Sequence, residues 1–381
     1  MELGGSLAVP NVQELAWSSK DVPARYVRPE LELDRVSKDE SVRVPVIDMS
    51  KLVGGCDDED ELAKLHSASR DWGFFQICHP NRSDPKLDRR HNRYHVKIQV
   101  INHGVPDKVI LKMKADIQEF FSRPLQEKME CAQLPSDIQG YGQAFVVSVE
   151  QKLDWGDMLY ILAQPQDVRN MRFWPRVPSS FRATLIQYSI ELEKLKGILL
   201  SSMARNLGLE PEKLLTLFEE GVQGVRMNYY PPCKQASKVI GISPHTDVVG
   251  LTLLTQVNEV QGLQIKKDGK WIPVDPVPGA FIVNVGDVIE IMSNGEYKSI
   301  EHRVVVNPEK ERLSIAAFHN SNRNAVIGPL PDILSKEQKK RAPNYKSISY
   351  QEFLKLGQKA TLEGKEKGLA HHLKIETEAA Q

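Results

Sequence analysis

The chain has 381 residues, with 50 Lys and Arg balanced by 50 Asp and Glu. That length allows two or three packing units, or one core with elaborations. Zero formal net charge removes the pull that sequence-independent nucleic-acid binding requires, and no apolar run is long enough to span a bilayer. Met1 to Pro10 lacks the charged and apolar regions of a secretory leader. The expectation is a cytoplasmic monomer acting on a small molecule, with no nucleic-acid or membrane partner. Cys56, Cys78, Cys131 and Cys233 are far apart, without the paired spacing of a disulfide framework or a cysteine zinc site.

In chain order, the first forty residues are polar apart from a cluster around Val12 to Trp17, and read as an arm lying on the body. Order begins near Val44-Pro-Val-Ile-Asp48, and from there to about residue 220 the pattern is mainly helical. Leu185, Tyr188, Leu192, Leu195, Leu199 and Met203 recur at three- and four-residue steps, between a Ser179 or Ser180 N-cap and Gly208. That spacing predicts one long amphipathic helix. From Val225 to about Asn320 the period changes to short β-rich runs such as Phe281-Ile-Val-Asn-Val285 and Arg303-Val-Val-Val306. Asp268-Gly269, between two such runs, signals a hairpin. Many short strands at even spacing point to a barrel or jelly roll, with the preceding helices covering one face. After Leu334 the sequence is again charged and helix-forming.

His245 and Asp247 stand two apart in Ser243-Pro-His-Thr-Asp247, so on an extended strand both side chains share a face. His302 follows 57 residues after His245, at the start of another β-rich run. Two histidines and one carboxylate on one face of an octahedron leave three positions open, two for a chelating keto acid and one for O2, as oxygen-activating Fe(II) needs. Ten residues past His302 stands Arg312, with Ser314 two further on. A guanidinium fork grips a carboxylate through two parallel hydrogen bonds, and a hydroxyl on the same strand face adds a third. Tyr230, in Asn228-Tyr-Tyr-Pro-Pro232, offers another hydroxyl or serves as a core tyrosine.

These motifs, with Gly286-Asp287, Glu301-His-Arg303 and Arg312-Leu-Ser314, resemble the plant Fe(II)/2-oxoglutarate oxygenases. Val44-Pro-Val-Ile-Asp48, Trp72-Gly-Phe-Phe75, Asn102-His-Gly104 and Asp154-Trp155 extend the likeness over nearly the whole chain. Val9-Pro-Asn-Val-Gln-Glu-Leu15 and Gly140-Tyr-Gly-Gln143 are most similar to the senescence-related and alkaloid-demethylase subgroup. The resemblance implies an α+β fold with a double-stranded β-helix, or jelly roll, flanked by helices. It implies an N-terminal non-haem dioxygenase region at 44–165 and an Fe(II)/2-oxoglutarate jelly-roll domain at 222–322. Fe(II), 2-oxoglutarate and O2 would be required, with ascorbate keeping the iron reduced. Carried over by position, His245, Asp247 and His302 match iron ligands, and Arg312, Ser314, Asn228 and Tyr230 match residues that bind 2-oxoglutarate. Phe145, Phe318 and Asn320 match substrate-pocket positions. Asn320 stands where flavonoid-oxidising relatives carry an acidic residue.

Two other readings stay open. Two histidines and a carboxylate also suit a zinc hydrolase, in which Arg312 and Ser314 have no role, and a fold can persist without its activity. The second gains weight from the segment 77–99, which has no counterpart in the family pattern, where Trp-Gly-Phe-Phe-Gln runs directly into Val-Ile-Asn-His-Gly. It carries six Lys and Arg against two Asp, with Pro80 and Pro85. The expectation is a disordered excursion, and a translated intron, that breaks a ladder in mid-strand. Two outcomes compete there: Phe74-Phe-Gln-Ile-Cys78 extends by itself, or Val96-Lys-Ile-Gln-Val-Ile101 replaces it. His91 and His95, four apart, imitate a helical metal pair but lack a third ligand.

Overall fold

The computed structural model describes residues 7–18, 21–37, 39, 41–53, 58–78, 103–135, 137–143, 146, 148–335, 342–362 and 368–375. Among them the β-rich runs assemble into two principal sheets. The larger has the order β1 (Val46–Asp48), β2 (Phe74–Cys78), β10 (Phe281–Val285), β7 (Leu251–Gln256), β12 (Arg312–His319), β5 (Gln223–Tyr230), β4 (Asp157–Gln164) and β3 (Gly140–Gly142). The smaller has the order β6 (Ile242–His245), β11 (His302–Val304), β8 (Leu263–Lys267) and β9 (Lys270–Pro273). The helices are α1 (Val12–Ser18), α2 (Glu59–Ser67), α3 (Asp107–Ser122), α4 (Leu125–Lys128), α5 (Phe181–Asn206), α6 (Pro211–Phe218), α7 (Asp287–Met292), α8 (Pro331–Leu334), α9 (Tyr350–Leu362) and α10 (Leu369–Leu373). The fold is α+β, a double-stranded β-helix flanked by helices.

Side-chain parity on β12 explains the layering. Leu313, Ile315 and Ala317 join the main core with Leu185, Leu192, Leu195 and Leu199 of α5, while Arg312, Ser314, Ala316 and Phe318 take the opposite face, toward the space between the sheets. That space holds a second core built from both sheets, in which Phe74, Tyr230 and Ile282 pack with Leu263, Ile265 and Val304.

The helix over 181–206 forms as the periodicity predicts, and Leu185, Tyr188, Leu192, Leu195, Leu199 and Met203 are all buried. Gly208 follows it with φ +59°, a left-handed conformation that glycine adopts without strain. Ser180 occupies the N-cap position without making a capping bond. Its hydroxyl donates instead to Asp116 of α3 at 2.6 Å. A lost cap costs about 1 kcal/mol, small beside a stripe in which each buried Leu contributes roughly 1.5–3 kcal/mol.

Asp268 and Gly269, with φ +50° and +73°, close the β8–β9 hairpin between the paired residues Lys267 and Lys270, as expected of this dipeptide. In β2, Phe74–Cys78 extends by itself. Ile77 pairs with Phe281 of β10 and with Ile47 of β1, and Cys78 with Asp48. The first two residues of the 77–99 segment therefore continue the strand, which is not interrupted at Gln76. The rest of that segment, with Pro80, Pro85, His91 and His95, lies outside the described residues.

Candidate metal and co-substrate site

β6 and β11 are antiparallel neighbours in the smaller sheet, and their register sets His302 directly opposite His245. Asp247 follows β6 by two residues. The ligand atoms of His245, Asp247 and His302 all lie within 4.8 Å of one another. Asp247 Oδ1 is 3.5 Å from His245 Nε2 and 3.6 Å from His302 Nε2.

The surrounding hydrogen bonds fix how these groups point. His245 Nδ1 lies 2.9 Å from the Ser243 carbonyl and His302 Nδ1 lies 3.1 Å from the Ile300 carbonyl. A carbonyl only accepts, so each Nδ1 carries the proton and each Nε2 turns a lone pair toward the cluster. The other oxygen of Asp247 accepts from the Thr252 hydroxyl at 2.6 Å and the Asn284 amide at 2.7 Å. This leaves Oδ1 for the cluster. Burial opposes the Asp247 charge, but the two imidazoles and the Thr252 hydroxyl outweigh it and hold the carboxyl well below the usual range. His302 is pushed down to about 4 by burial and by His245. An ionised carboxylate beside a neutral imidazole is the state in which such groups bind a divalent cation.

On β12, Arg312 is paired across the ladder with Tyr230, and Ser314 with Asn228. The four residues predicted to bind the co-substrate thus form one patch on the larger sheet. Arg312 is 1% exposed and is stacked over the Tyr230 ring at 5.4 Å. It donates to the Gln256 side chain at 3.1 Å and to the Ser314 hydroxyl at 3.4 Å, while its Nε has no partner. No described carboxylate pairs with it, and burial depresses its pKa. A buried guanidinium without a counter-charge is expensive, and a carboxylate ligand supplies both the missing charge and the missing acceptor. Gly262 makes the space: a Cβ there would lie 2.8 Å from Arg312 Cδ.

Sequence reasoning missed Thr252, Gln256, Gly262, Asn284 and Arg226. Asn284 carried a signal, a polar residue inside the apolar run Phe281–Val285. Arg226 shares parity with Asn228 and Tyr230 on β5, and lies close enough to His245 and Tyr230 to oppose protonation of both. Its side chain makes no hydrogen bond or ion pair with any described residue, and its Nε is buried without a partner. Of the expected substrate residues, Phe318 lies on the inner face of β12, its ring 6.5 Å from that of Tyr160. Asn320 lies just beyond the strand, and its amide is occupied by the Val222 carbonyl at 2.9 Å and the Tyr350 hydroxyl at 2.8 Å. Phe145 lies outside the described residues.

Comparison with known proteins shows the family. The model of the 2OG-Fe(II) oxygenase superfamily matches residues 221–321. That of the non-haem dioxygenase in morphine synthesis N-terminal region matches 44–92 and 96–177. The chain is 48% identical to 2-oxoglutarate-dependent dioxygenase 11 of Oryza sativa subsp. japonica, over 95% of each chain. It is 39% identical to codeine O-demethylase of Papaver somniferum, over 96% of each. Among solved structures, that of JOX2 in complex with 2OG, Fe and JA superimposes with a TM-score of 0.82 at 32% identity, covering 98% of this chain and 100% of that one.

The chain belongs to the 2OG-Fe(II) oxygenase superfamily. It is a 2-oxoglutarate-dependent dioxygenase, an oxidoreductase that uses Fe(II), 2-oxoglutarate and O2 and acts on a small molecule. The zinc-hydrolase and inert-relative readings are not favoured. Among the described residues no helix is long and apolar enough to cross a membrane.

Proposed function

We propose that His245, Asp247 and His302 hold the iron, and that Arg312 and Ser314, with Tyr230 and Asn228, bind 2-oxoglutarate. The substrate is a small, largely apolar plant metabolite, a methoxylated aromatic or alkaloid-like compound, which is hydroxylated or demethylated. The observation that carries this reading is the buried Arg312 guanidinium with its unpartnered Nε. The far carboxylate of the co-substrate is the group it fits. Bound iron would supply oxidative decarboxylation of 2-oxoglutarate to succinate and CO2, coupled to removal of hydrogen from a substrate C–H bond.

The protein's own residues do the positioning. The Ser243 and Ile300 carbonyls keep both histidines in the tautomer that presents Nε2, and Thr252 and Asn284 keep one Asp247 oxygen turned inward. Arg226 meets an electron-rich oxygen of the substrate, against the aromatic surface of Phe318 and Tyr160. The substrate class is supported by likeness to codeine O-demethylase and to an oxoglutarate-dependent flavonoid 7-O-demethylase of Ocimum basilicum, 45% identical over 93% of this chain and 88% of the relative. The protein works as a cytoplasmic monomer, without nucleic-acid or membrane partners, in keeping with its balanced charge.

Succinate release is the assay. His245→Ala and Asp247→Ala abolish turnover, and a metabolite library screened for substrate-dependent succinate names the compound. Activity with zinc alone, or full activity without 2-oxoglutarate, overturns the proposal; a response only to peptides or nucleic acids overturns the substrate class.

A further inference from the structure

The turn carrying His245 and Asp247 is held from two sides, and one of them is α10 (Leu369–Leu373). On the first side, Asp287 at the start of α7 donates its backbone N–H to the Asp247 carbonyl at 2.8 Å. Gly286 and Val288 donate theirs to the carbonyls of Gly250 at 2.9 Å and Val249 at 3.1 Å. On the second side, the Asp287 carboxylate reaches outward. The same oxygen, Oδ2, accepts from the Thr246 hydroxyl at 3.2 Å and from the first amides of α10, Leu369 at 2.7 Å and Ala370 at 3.4 Å.

Thr246 is the residue between the two ligands. One carboxylate oxygen therefore joins the ligand turn to the C-terminal helix. Asp287 is fully buried, and Leu369, Ala370 and Leu373 anchor α10 in the main core. The approach is close: a Cβ on Gly368 would lie 2.3 Å from Thr246 Oγ1, and one on Gly357 of α9 would lie 3.3 Å from Val248 Cγ1.

We propose that Asp287 is a positioning residue through which α10 braces the His245–Asp247 turn, so that docking of the C-terminal helix and metal binding reinforce each other. This rests on the reading that His245 and Asp247 are ligands. A plain helix cap would stabilise α10 and leave the metal indifferent. A brace makes two further demands. Loosening the contact must weaken metal binding, and by linkage metal binding must tighten α10 by the same factor.

The test is Co(II) titration of the metal-free full-length chain, read by the visible absorption of the bound ion, with His245→Ala as the control that loses binding. Thr246→Val, which removes the hydroxyl and keeps the shape, weakens Co(II) binding about tenfold, the low end of what loss of a partner around a ligand does, and alters the absorption band. Thr246→Ser keeps the hydroxyl and restores both. Gly368→Ala touches no ligand and its φ of −54° admits alanine, yet its methyl separates helix from turn and weakens binding similarly. In the parent chain, Co(II) loading slows hydrogen exchange at the Leu369 amide by about the same tenfold. Unchanged affinity and spectrum in both Thr246→Val and Gly368→Ala, or Leu369 exchange indifferent to metal, overturns the brace while leaving the metal site intact. Undiminished Co(II) binding by His245→Ala overturns the metal reading and the brace with it.

Discussion

The two walls of the jelly roll hold their functional groups by different means. On the smaller sheet, the proposed ligand set comes from strand ends: His245 closes β6, Asp247 lies past it, and His302 opens β11. Register sets the two histidines opposite each other but leaves their rings and the Asp247 carboxyl to be aimed by hydrogen bonds, from the carbonyls of Ser243 and Ile300 two residues before each histidine and from Thr252 and Asn284 of the larger sheet. On the larger sheet, Ser314 lies inside an eight-residue strand paired on both sides, and Arg312 at its start is locked opposite Tyr230. There the ladder positions the groups and the burden is electrostatic, a buried guanidinium with no described carboxylate beside it. The metal wall is fragile in geometry. The anion wall is costly in charge.

That contrast breaks most visibly at Arg312. Arg312→Met removes a charge-assisted contact whose hydrogen bonds contribute about 1.5–3 kcal/mol each, so the 2-oxoglutarate requirement rises at least roughly 100-fold at about 1.4 kcal/mol per tenfold. The same change removes a buried unpaired cation, and the protein without ligand melts no lower than the parent, or higher. A lower melting temperature for the ligand-free variant would contradict the electrostatic account of this wall. Next in size is Asn284→Ala, which removes one of the two donors that hold Asp247 Oδ2 and weakens metal binding about 10- to 100-fold, while the KM for 2-oxoglutarate at saturating iron stays unchanged. An equal loss in both parameters would mean that the two walls are not separately held.

Gly262→Ala sharpens the comparison from the other side. Its methyl would lie 2.8 Å from both Arg312 Cδ and the Val305 carbonyl, displacing the guanidinium and raising the 2-oxoglutarate KM several-fold, about 1 kcal/mol in binding. Metal titration of that variant is expected to match the parent. The smallest effect concerns stability: a chain lacking residues 77–99 joins Gln76 to Val100, so that Val100 and Ile101 replace Ile77 and Cys78 at the end of β2. Loop length itself changes stability little, since each doubling costs about 0.6 kcal/mol, and the deletion variant is expected to melt a few degrees higher because it loses a charged, proline-bearing segment. A lower melting point, or lost succinate formation, makes the segment a working part of the protein.

What the sequence made legible was whatever short spacing encodes. His-x-Asp, Arg-x-Ser, the Asp-Gly turn and the α5 stripe each declare their geometry within a few residues, because strand and helix periods are fixed by the backbone. Thr252, Gln256 and Gly262 stayed silent, and Asn284 showed only as a polar residue in an apolar run, since their roles depend on which strands become neighbours, and β10 next to β7 next to β12 is a long-range pairing. Ser180 does stand at the N-cap, as its position suggested, but its hydroxyl bonds Asp116 on another helix instead of capping, a tertiary choice that local sequence does not encode. That Phe74–Cys78 forms β2 was likewise undetermined by β propensity alone, which the run Val96–Ile101 shares.

The seat of Tyr160 has an evolutionary consequence. A side chain at Gly224, diagonally across β4 and β5, would begin 2.2 Å from the Tyr160 hydroxyl, so the phenol lies where a neighbour's side chain would otherwise be. Any mutation at 224 evicts the phenol from its seat, whereas a smaller residue at 160 first makes mutation at 224 harmless. Mutational routes that reshape this inner face of the sheet are therefore ordered, with position 160 changing before position 224, and a lineage that keeps Tyr160 keeps Gly224 with it.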